Sequence, residues 1–499
     1  DNSFLLLEGD NVRMHVASVL IFEAGPLRTE DGGIEFTAIR QTIEMALPEI
    51  HRYRQRLAWI PLENHAVWVD DAHFDLDYHV RHTSLPKPGS AAQLKKLAAR
   101  IMSQPLDRNR PLWETWVIEG LDGGDSFALL TKIHHCMIDG ASGVDLAQVL
   151  LSASPEPIEV RDMPTYMPRP TPSALDLAID EARRRVSLPA EILRGVRSFV
   201  DEAEDLRAEV EVRAKALLGT MGVGLSADET PLNGKLGPHR AFDWLDVPLD
   251  DLKAVRRAWD CSINDVVLTI VTGAVRGYLI RRGVDPTSLE FKVSAPVSVR
   301  SEEQKGKLGN QVSSWILALP IHLDDPRDQL RAIHEETSRL KESRQALGVQ
   351  MMMQVAEFTP STLLSLGAQS LSGPINTIVT NVPGPQVPLF CNGARLKALY
   401  PMVPLMENLG LGIALMSYAG SVGFGFNSDP DLVPDADLFV EKIRESLEAV
   451  KTAAVRAVPD PDEQVATPRP KAARVRRSDS RTKGAAATAS TPEVEPQAR

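Results

Sequence analysis

Two adjacent histidines are the residues best suited to chemistry in this sequence. His134 and His135 follow an apolar run rich in β-forming residues, 126–133, and precede a stretch from Ala141 whose apolar residues recur at helical spacing. The pair is therefore predicted to lie at the end of a strand, before a turn into a helix. A strand end holds side chains rigidly while letting them face a cleft, which favours a catalytic role.

An imidazole can take a proton from an alcohol or amine near neutral pH, because its ordinary pKa is close to neutrality. Successive strand residues point to opposite sides, so only one of His134 and His135 can easily face a substrate. Asp139, directly before Gly140, could orient the catalytic ring or tie down the loop through a basic partner. The alternative is a buried, hydrogen-bonded histidine pair beside an Asx turn, and for two histidines alone this is the commoner outcome.

Composition narrows the functional classes. The 499 residues carry a formal charge of −12, which argues against nucleic acid as the main partner. Three cysteines, Cys136, Cys261 and Cys391, form no Cys-x-x-Cys pair, so we expect neither a disulfide framework nor a zinc site, and a reducing cytoplasm fits them. We see no secretory signal and no run of about 18 apolar residues, so any contact with lipid should be peripheral.

The order of the predicted elements indicates two α/β domains. We expect an N-terminal domain over residues 1–154, a proline-rich and helical linker over 155–229, a C-terminal domain over 230–457 and a disordered tail over 458–499. Ser90 is predicted to cap the second helix. Strands are expected at 14–23, 59–60, 66–69, 114–119, 126–133, 291–297, 409–418 and 421–427, and helices at 36–47, 91–102, 263–281, 326–344 and 436–453.

The charged segment 173–218 allows two interpretations. It can form linker helices with a solvated face, or an amphipathic surface that touches lipid. Arginines and acidic residues alternate along it and build no basic face, which favours linker helices.

The segment from Pro105 to Glu114 precedes the strand expected beside the histidine strand. Its Trp113 could pack over a tunnel, or it could be a core tryptophan at a strand start. Arg108, Arg110 and Glu114 could form a local set of ion pairs.

The pattern His-His-x-x-x-Asp-Gly at 134–140 resembles the active-site motif of acyltransferases with the chloramphenicol acetyltransferase fold, which include peptide-synthetase condensation domains. Further stretches resemble the bacterial wax ester synthase/diacylglycerol acyltransferase family, in the expected order from residue 1 to about 455. They are Phe4-Leu-Leu-Leu-Glu8, Met14-His15-Val16, Pro111-Leu-Trp113, Thr230-Pro-Leu-Asn233, Ser262-Ile-Asn264-Asp265, Pro296-Val-Ser-Val-Arg300, Gly309-Asn310-Gln311 and Asn381-Val-Pro-Gly-Pro385.

The resemblance implies an α/β fold of two chloramphenicol acetyltransferase-like domains, with mixed sheets and a tunnel at their interface. It makes His135 the general base and His134 its supporting neighbour, while Asp139 orders the loop and Gly140 permits the turn. It also assigns roles to the second motif.

In that motif, Asn264 would donate hydrogen bonds near the reaction centre, where Gly140 would also contribute to substrate binding or to an oxyanion site. Asp265 would support the site or simply cap its helix. Arg300 is our candidate ion-pair partner for Asp139, and Trp113 is expected to give structural support.

The implied reaction is direct transfer from long-chain acyl-CoA, as co-substrate, to diacylglycerol, giving triacylglycerol. A long-chain alcohol is the alternative acceptor, giving a wax ester. We expect no metal and no redox cofactor, and a cytoplasmic protein attached peripherally to membrane or lipid bodies. Other possibilities are a condensation-type or acetyl-CoA-dependent transferase, a non-catalytic lipid-binding protein, and a mechanism with Cys136 as nucleophile.

Overall fold

Two mixed β-sheets with helices packed on them form the protein, in a computed structural model that describes residues 2–61, 65–137, 150–159, 165–181, 183, 227–298, 312–342 and 375–456. Residues Asp1–Ala457 form one compact unit. Because both six-stranded sheets combine parallel and antiparallel pairs, the predicted α/β class with mixed sheets is confirmed. A third sheet has two antiparallel strands. The domain boundaries at 154, 229 and 457 stay a prediction.

The regular elements alternate along the chain. The strands are β1 (His15–Glu23), β2 (Gln55–Trp59), β3 (Ala66–Asp70), β4 (Val80–Ser84), β5 (Trp113–Leu121), β6 (Ser126–His134), β7 (Ala241–Pro248), β8 (Phe291–Ser298), β9 (Val312–Leu319), β10 (Thr377–Val382), β11 (Phe390–Cys391), β12 (Ala394–Met402), β13 (Leu411–Tyr418) and β14 (Ser421–Ser428). The helices are α1 (Asn2–Leu7), α2 (Phe36–Ala46), α3 (Leu76–His79), α4 (Ala91–Ser103), α5 (Leu249–Trp259), α6 (Ile263–Arg281), α7 (Pro326–Glu342) and α8 (Ala436–Val455).

The first sheet has the order β11-β12-β1-β6-β5-β4, with the histidine strand β6 near its middle. β1 pairs antiparallel with β6 along its whole length, from His15 opposite His134 to Glu23 opposite Ser126. β12 comes from the C-terminal half of the chain and pairs antiparallel with β1. β12 therefore connects the two predicted domains, because it belongs to the second in sequence and to the sheet of the first in structure.

The second sheet has the order β7-β14-β13-β10-β8-β9, and β10 runs parallel to both of its neighbours. Helices α5, α6, α7 and α8 pack with it around a large apolar core. Twelve residues of α6 are buried. Since so much of this helix faces other elements, it is apolar nearly all round, as expected of a core helix.

Among the described residues, α6 is the one helix long and apolar enough to cross a membrane, and 67 % of its apolar stretch lies buried inside the protein. This helix is the one predicted at 263–281, a stretch that was not expected to span a membrane because it holds no uninterrupted run of about 18 apolar residues.

The capping residue predicted at the start of α4 is the one that the structure shows. Ser90 caps α4, because its hydroxyl accepts from the Gln93 N–H and its own N–H donates to the Gln93 side chain at 2.7 Å. This reciprocal pair satisfies two backbone donors that a helix start would otherwise leave open. The predicted cap is confirmed.

Several expectations need correction. The strand expected at 59–60 is Gln55–Trp59. Strands β4, β7, β9, β10, β11 and β12 and helices α1, α3 and α5 were not predicted. The remaining expected elements are present within a few residues of their predicted ends, the usual uncertainty for helix and strand boundaries. Most of the linker and the whole tail lie outside the described residues, although residues 174–181 are helical.

Candidate active site

The histidine pair lies where β6 ends and a short 3₁₀ turn, His135–Met137, begins. His134 is buried, and His135 is half-buried. The His134 N–H donates to the Leu112 carbonyl at 3.0 Å, and the His135 N–H donates to the Met14 carbonyl at 2.7 Å. The backbone of both histidines is therefore held by neighbouring segments.

The contacts of the His134 ring indicate which of its two nitrogens carries the proton. The Cys136 N–H donates to His134 Nδ1 at 3.1 Å, so Nδ1 carries no proton. A neutral ring must then carry its proton on Nε2, which lies 3.6 Å from Oε2 of Glu8. The His134 ring is therefore enclosed between Glu8 and the turn that follows β6.

His135 has the properties of a base. Its ring stacks on Phe4, with ring centroids 4.0 Å apart and an angle of 21° between the planes. Burial lowers the pKa of His135 from 6.5 to about 4, because a charged ring would lose hydration there. At neutral pH the ring is uncharged and free to accept a proton. Its Nδ1 is enclosed, and no described residue offers it a hydrogen-bond partner.

Glu8 is a residue of this site to which the sequence analysis gave no role. Its side chain is 7 % exposed and contacts Arg108, His15 and His134. Burial alone would raise the pKa of Glu8, but the nearby side chains of His134 and Arg108 outweigh it and lower the pKa to about 2. The available signal was that Glu8 ends the stretch Phe4-Leu-Leu-Leu-Glu8, which was quoted for the family resemblance without a role for its carboxylate.

Cys136 does not have the properties of a nucleophile. Its side chain is buried, and burial raises the pKa of the thiol from 9.0 to about 12. Because the thiolate is the reactive form, the thiol is inert at neutral pH. The structure argues against the alternative in which Cys136 accepts the acyl group.

Trp113 begins β5 and is completely buried. Its Nε1–H donates to the Tyr53 carbonyl at 2.8 Å, and its ring stacks on His79 with the centroids 4.7 Å apart. These contacts make it a core tryptophan at a strand start, and they do not support the interpretation in which it packs over a tunnel.

The predicted local ion pairs before β5 are wrong. Arg108 pairs with Glu8, Arg110 lies 3.7 Å from Asp107, and Glu114 lies 3.4 Å from Arg81 on the parallel neighbour β4. Each side chain finds a partner outside the expected set.

The second motif begins α6. Asp265 is buried and completes a capping box with Ser262, and it also accepts from the Thr337 hydroxyl at 2.9 Å and lies 3.0 Å from His334 Nδ1. Asn264 is half-buried in the first turn of α6. No hydrogen bond, ion pair or ring contact between described residues joins Asn264 to the histidines.

Three predicted residues, Asp139, Gly140 and Arg300, lie outside the described residues. Within the described ranges, no group of three or more histidine, cysteine, aspartate or glutamate side chains is placed to hold a metal ion.

Comparison with known proteins identifies the family. Residues 1–267 match the wax ester synthase/diacylglycerol acyltransferase catalytic domain, and residues 308–451 match the WS/DGAT C-terminal domain. The "Probable diacylglycerol O-acyltransferase tgs1" of Mycobacterium tuberculosis H37Rv is 33% identical over 454 residues, which cover 88% of this chain and 93% of that protein.

Solved structures agree. The wax ester synthase/diacylglycerol acyltransferase from Marinobacter aquaeolei VT8 superposes with a TM-score of 0.61 at 25% identity, covering 91% of this chain and 98% of that one. The first condensation domain of the calcium-dependent antibiotic synthetase has a TM-score of 0.55 at 14% identity, covering 91% and 94%, so this likeness shows the shared fold alone. With both halves matched, the chain belongs to the wax ester synthase/diacylglycerol acyltransferase family.

Proposed function

We propose that the protein transfers a long-chain acyl group from acyl-CoA to the free hydroxyl of diacylglycerol, with His135 as the general base. Membership of the family makes the chain an O-acyltransferase. The observation that carries the proposed role is the uncharged, half-buried ring of His135 at the end of β6. An uncharged imidazole is the state that a general base requires.

In the proposed step, His135 accepts the hydroxyl proton as the alcohol oxygen attacks the thioester carbonyl. A carbon–oxygen bond forms, the carbon–sulfur bond breaks, and the proton passes from the imidazolium to the departing CoA thiolate. The transfer is a single displacement in which neither a metal nor a redox cofactor takes part.

Supporting roles are proposed for residues of both motifs. Asn264 and the backbone at Gly140 would donate hydrogen bonds to the developing oxyanion or to substrate, and Asp139 would order the loop after the histidines, with Arg300 as its partner. Trp113 and Asp265 support the site through their buried contacts.

The relatives favour diacylglycerol as acceptor. The mycobacterial relative is named a diacylglycerol O-acyltransferase, and the Marinobacter protein is named for wax ester synthesis as well. A long-chain alcohol is therefore the second candidate acceptor. The acyl chains would lie in a tunnel at the interface of the two predicted domains.

The test is CoA release from palmitoyl-CoA by purified protein, with dioleoylglycerol and hexadecanol supplied separately and the lipid products separated by chromatography. We expect triacylglycerol formation, lost in His135→Ala and kept in His322→Ala, a matched change of an exposed histidine after β9. Turnover with hexadecanol alone would assign the wax ester activity. A fully active His135→Ala variant would refute His135 as the base, and a preference for acetyl-CoA would refute the long-chain donor.

We also propose that the protein works in the cytoplasm, attached peripherally to membrane or lipid bodies. The acyl chain of its donor and the acceptor are apolar, and its free thiols Cys136, Cys261 and Cys391 are typical of a reducing compartment. We expect the protein to float with oil-loaded droplets in a density gradient. Recovery of nearly all of it in the soluble fraction would contradict attachment.

A further inference from the structure

Glu8 places a buried carboxylate beside the histidine pair. One oxygen, Oε2, accepts from the Arg108 guanidinium at 2.5 and 3.2 Å and lies 3.6 Å from His134 Nε2. The other oxygen, Oε1, lies 3.5 Å from Nε2 of His15, the residue opposite His134 in the sheet. Three nitrogen-bearing side chains therefore surround one carboxylate.

A charged carboxylate is the form that these contacts favour. The low pKa of Glu8 keeps it ionised at neutral pH, so it can only accept hydrogen bonds. Burial lowers the pKa of His15 well below 6.5, so that ring is uncharged. Arg108 supplies a positive charge beside Glu8, and the uncharged His15 can offer the carboxylate only an N–H group.

A chain of contacts leads from Glu8 to His135. Beyond His134, the ring nitrogen Nδ1 accepts from the backbone N–H of Cys136, the second residue of the turn that begins with His135. The same N-terminal segment touches His135 directly, because Phe4 of α1 stacks on its ring. Arg108 also donates to the Leu5 carbonyl at 3.4 Å, which fixes α1 beside the turn.

We propose that Glu8 is a positioning residue: its carboxylate holds the proton of His134 on Nε2, so that Nδ1 accepts from Cys136 and keeps the turn that directs His135 toward substrate. With the proton on Nδ1 instead, two N–H groups would face each other across 3.1 Å and the turn would lose this bond. The inference rests on the proposed role of His135 as base.

A purely structural Glu8–Arg108 ion pair is the competing explanation, and two variants separate it. Glu8→Gln removes the charge at constant size, whereas Arg108→Gln removes the other half of the ion pair and leaves the carboxylate facing His134. A structural pair would make both variants lose activity alike. A positioning role requires a larger loss in Glu8→Gln.

The experiment uses the full chain with ¹⁵N-labelled histidine. Long-range ¹H–¹⁵N spectra report which ring nitrogen carries the proton, and the His134 signals are assigned by their absence from His134→Gln. We expect an Nε2–H ring in the wild type and in Arg108→Gln, and a mixed population in Glu8→Gln. A wild-type His134 protonated on Nδ1 would overturn the proposal without any variant having to fold.

Turnover with palmitoyl-CoA and dioleoylglycerol supplies the second readout. We expect Glu8→Gln to lower kcat by about 10- to 100-fold, the range typical when a group that orients a functional histidine is removed, with KM unchanged. Glu8→Asp should recover part of the loss. Wild-type kcat in Glu8→Gln, or equal losses in both Gln variants with unchanged spectra, would overturn the proposal. An active His135→Ala would instead remove the proposed base and leave the His134 spectra interpretable.

Discussion

Replacing Asp265 by alanine should destabilise the protein strongly, because this carboxylate joins α6 to α7. It accepts from the Ser262 N–H at 2.9 Å and from the Thr337 hydroxyl at 2.9 Å, and both the carboxylate and Thr337 are buried. Each buried donor left without an acceptor costs about 1–3 kcal/mol.

Loss of the contact with His334 should cost less stability than loss of the other two contacts, since the His334 side chain is 44% exposed and water can replace Asp265 there. The two lost hydrogen bonds together cost about 2–6 kcal/mol, and we expect about 3–5 kcal/mol, the range found when one partner of a buried charged network is removed. If the free energy of unfolding falls by about 3 kcal/mol per molar urea, the urea concentration at the unfolding midpoint should fall by at least about 1 M.

The assay is urea unfolding at pH 7, followed by circular dichroism. Asp250→Ala is the matched control, because Asp250 lies in the first turn of α5 with an exposed side chain whose one ion-pair partner among the described residues is Lys253. We expect little change there. If Asp265→Ala moves the midpoint no further than Asp250→Ala does, the capping network does not hold α6 in place.

The pH dependence of the stability provides a second test of this prediction. Burial tends to raise the pKa of Asp265, but hydrogen bonds from His334, Ser262 and Thr337 prevail and lower it below 3.8. The folded state therefore gains stability from the ionised carboxylate at pH values above 3.8, and loses this gain as pH falls through the lowered pKa. The difference between wild type and Asp265→Ala should shrink below pH 4, and a difference that grows on acidification would refute this account.

Three further predictions concern the first sheet. The pKa of His135 near 4 predicts a kcat/KM that is constant from pH 8 to 5 and falls on further acidification, and a fall centred near pH 6.5 would contradict the burial argument. Cys136→Ala should stay active, and native Cys136 should resist iodoacetamide at pH 8, as mass spectrometry of the labelled peptides would show. Lys132→Met should lower the free energy of unfolding by about 1–3 kcal/mol in a urea titration. Lys132 Nζ is buried and donates to the Ile101 and Gln104 carbonyls at the end of α4. An unchanged free energy of unfolding would contradict this role.

Elements with a strong local pattern could be predicted, and elements defined by distant partners could not. α6 was placed at its true ends because a long apolar run follows the capping residue Ser262. β12 was missed because its burial depends on β1, which lies at the other end of the chain. A strand that joins a sheet built by distant segments carries little signal of its own.

The same distinction applies to the site. The histidine pair was found because its residue types and spacing are visible in a short stretch of sequence. Glu8 was missed because its ion pair with Arg108 joins residues 100 positions apart. Arg108 was expected to pair locally, but the fold brings α1 beside the loop before β5, and the closer acceptor is Glu8.

Burial in the 3₁₀ turn acts in opposite directions on two neighbouring groups. It raises the pKa of the Cys136 thiol to about 12 and lowers that of the His135 imidazole to about 4, because in each case the uncharged form is favoured. An uncharged thiol is a poor nucleophile, whereas an uncharged imidazole is a competent proton acceptor. One apolar environment therefore disfavours a covalent cysteine route, while it leaves His135 in the uncharged state from which a base can receive the proton of the acceptor alcohol.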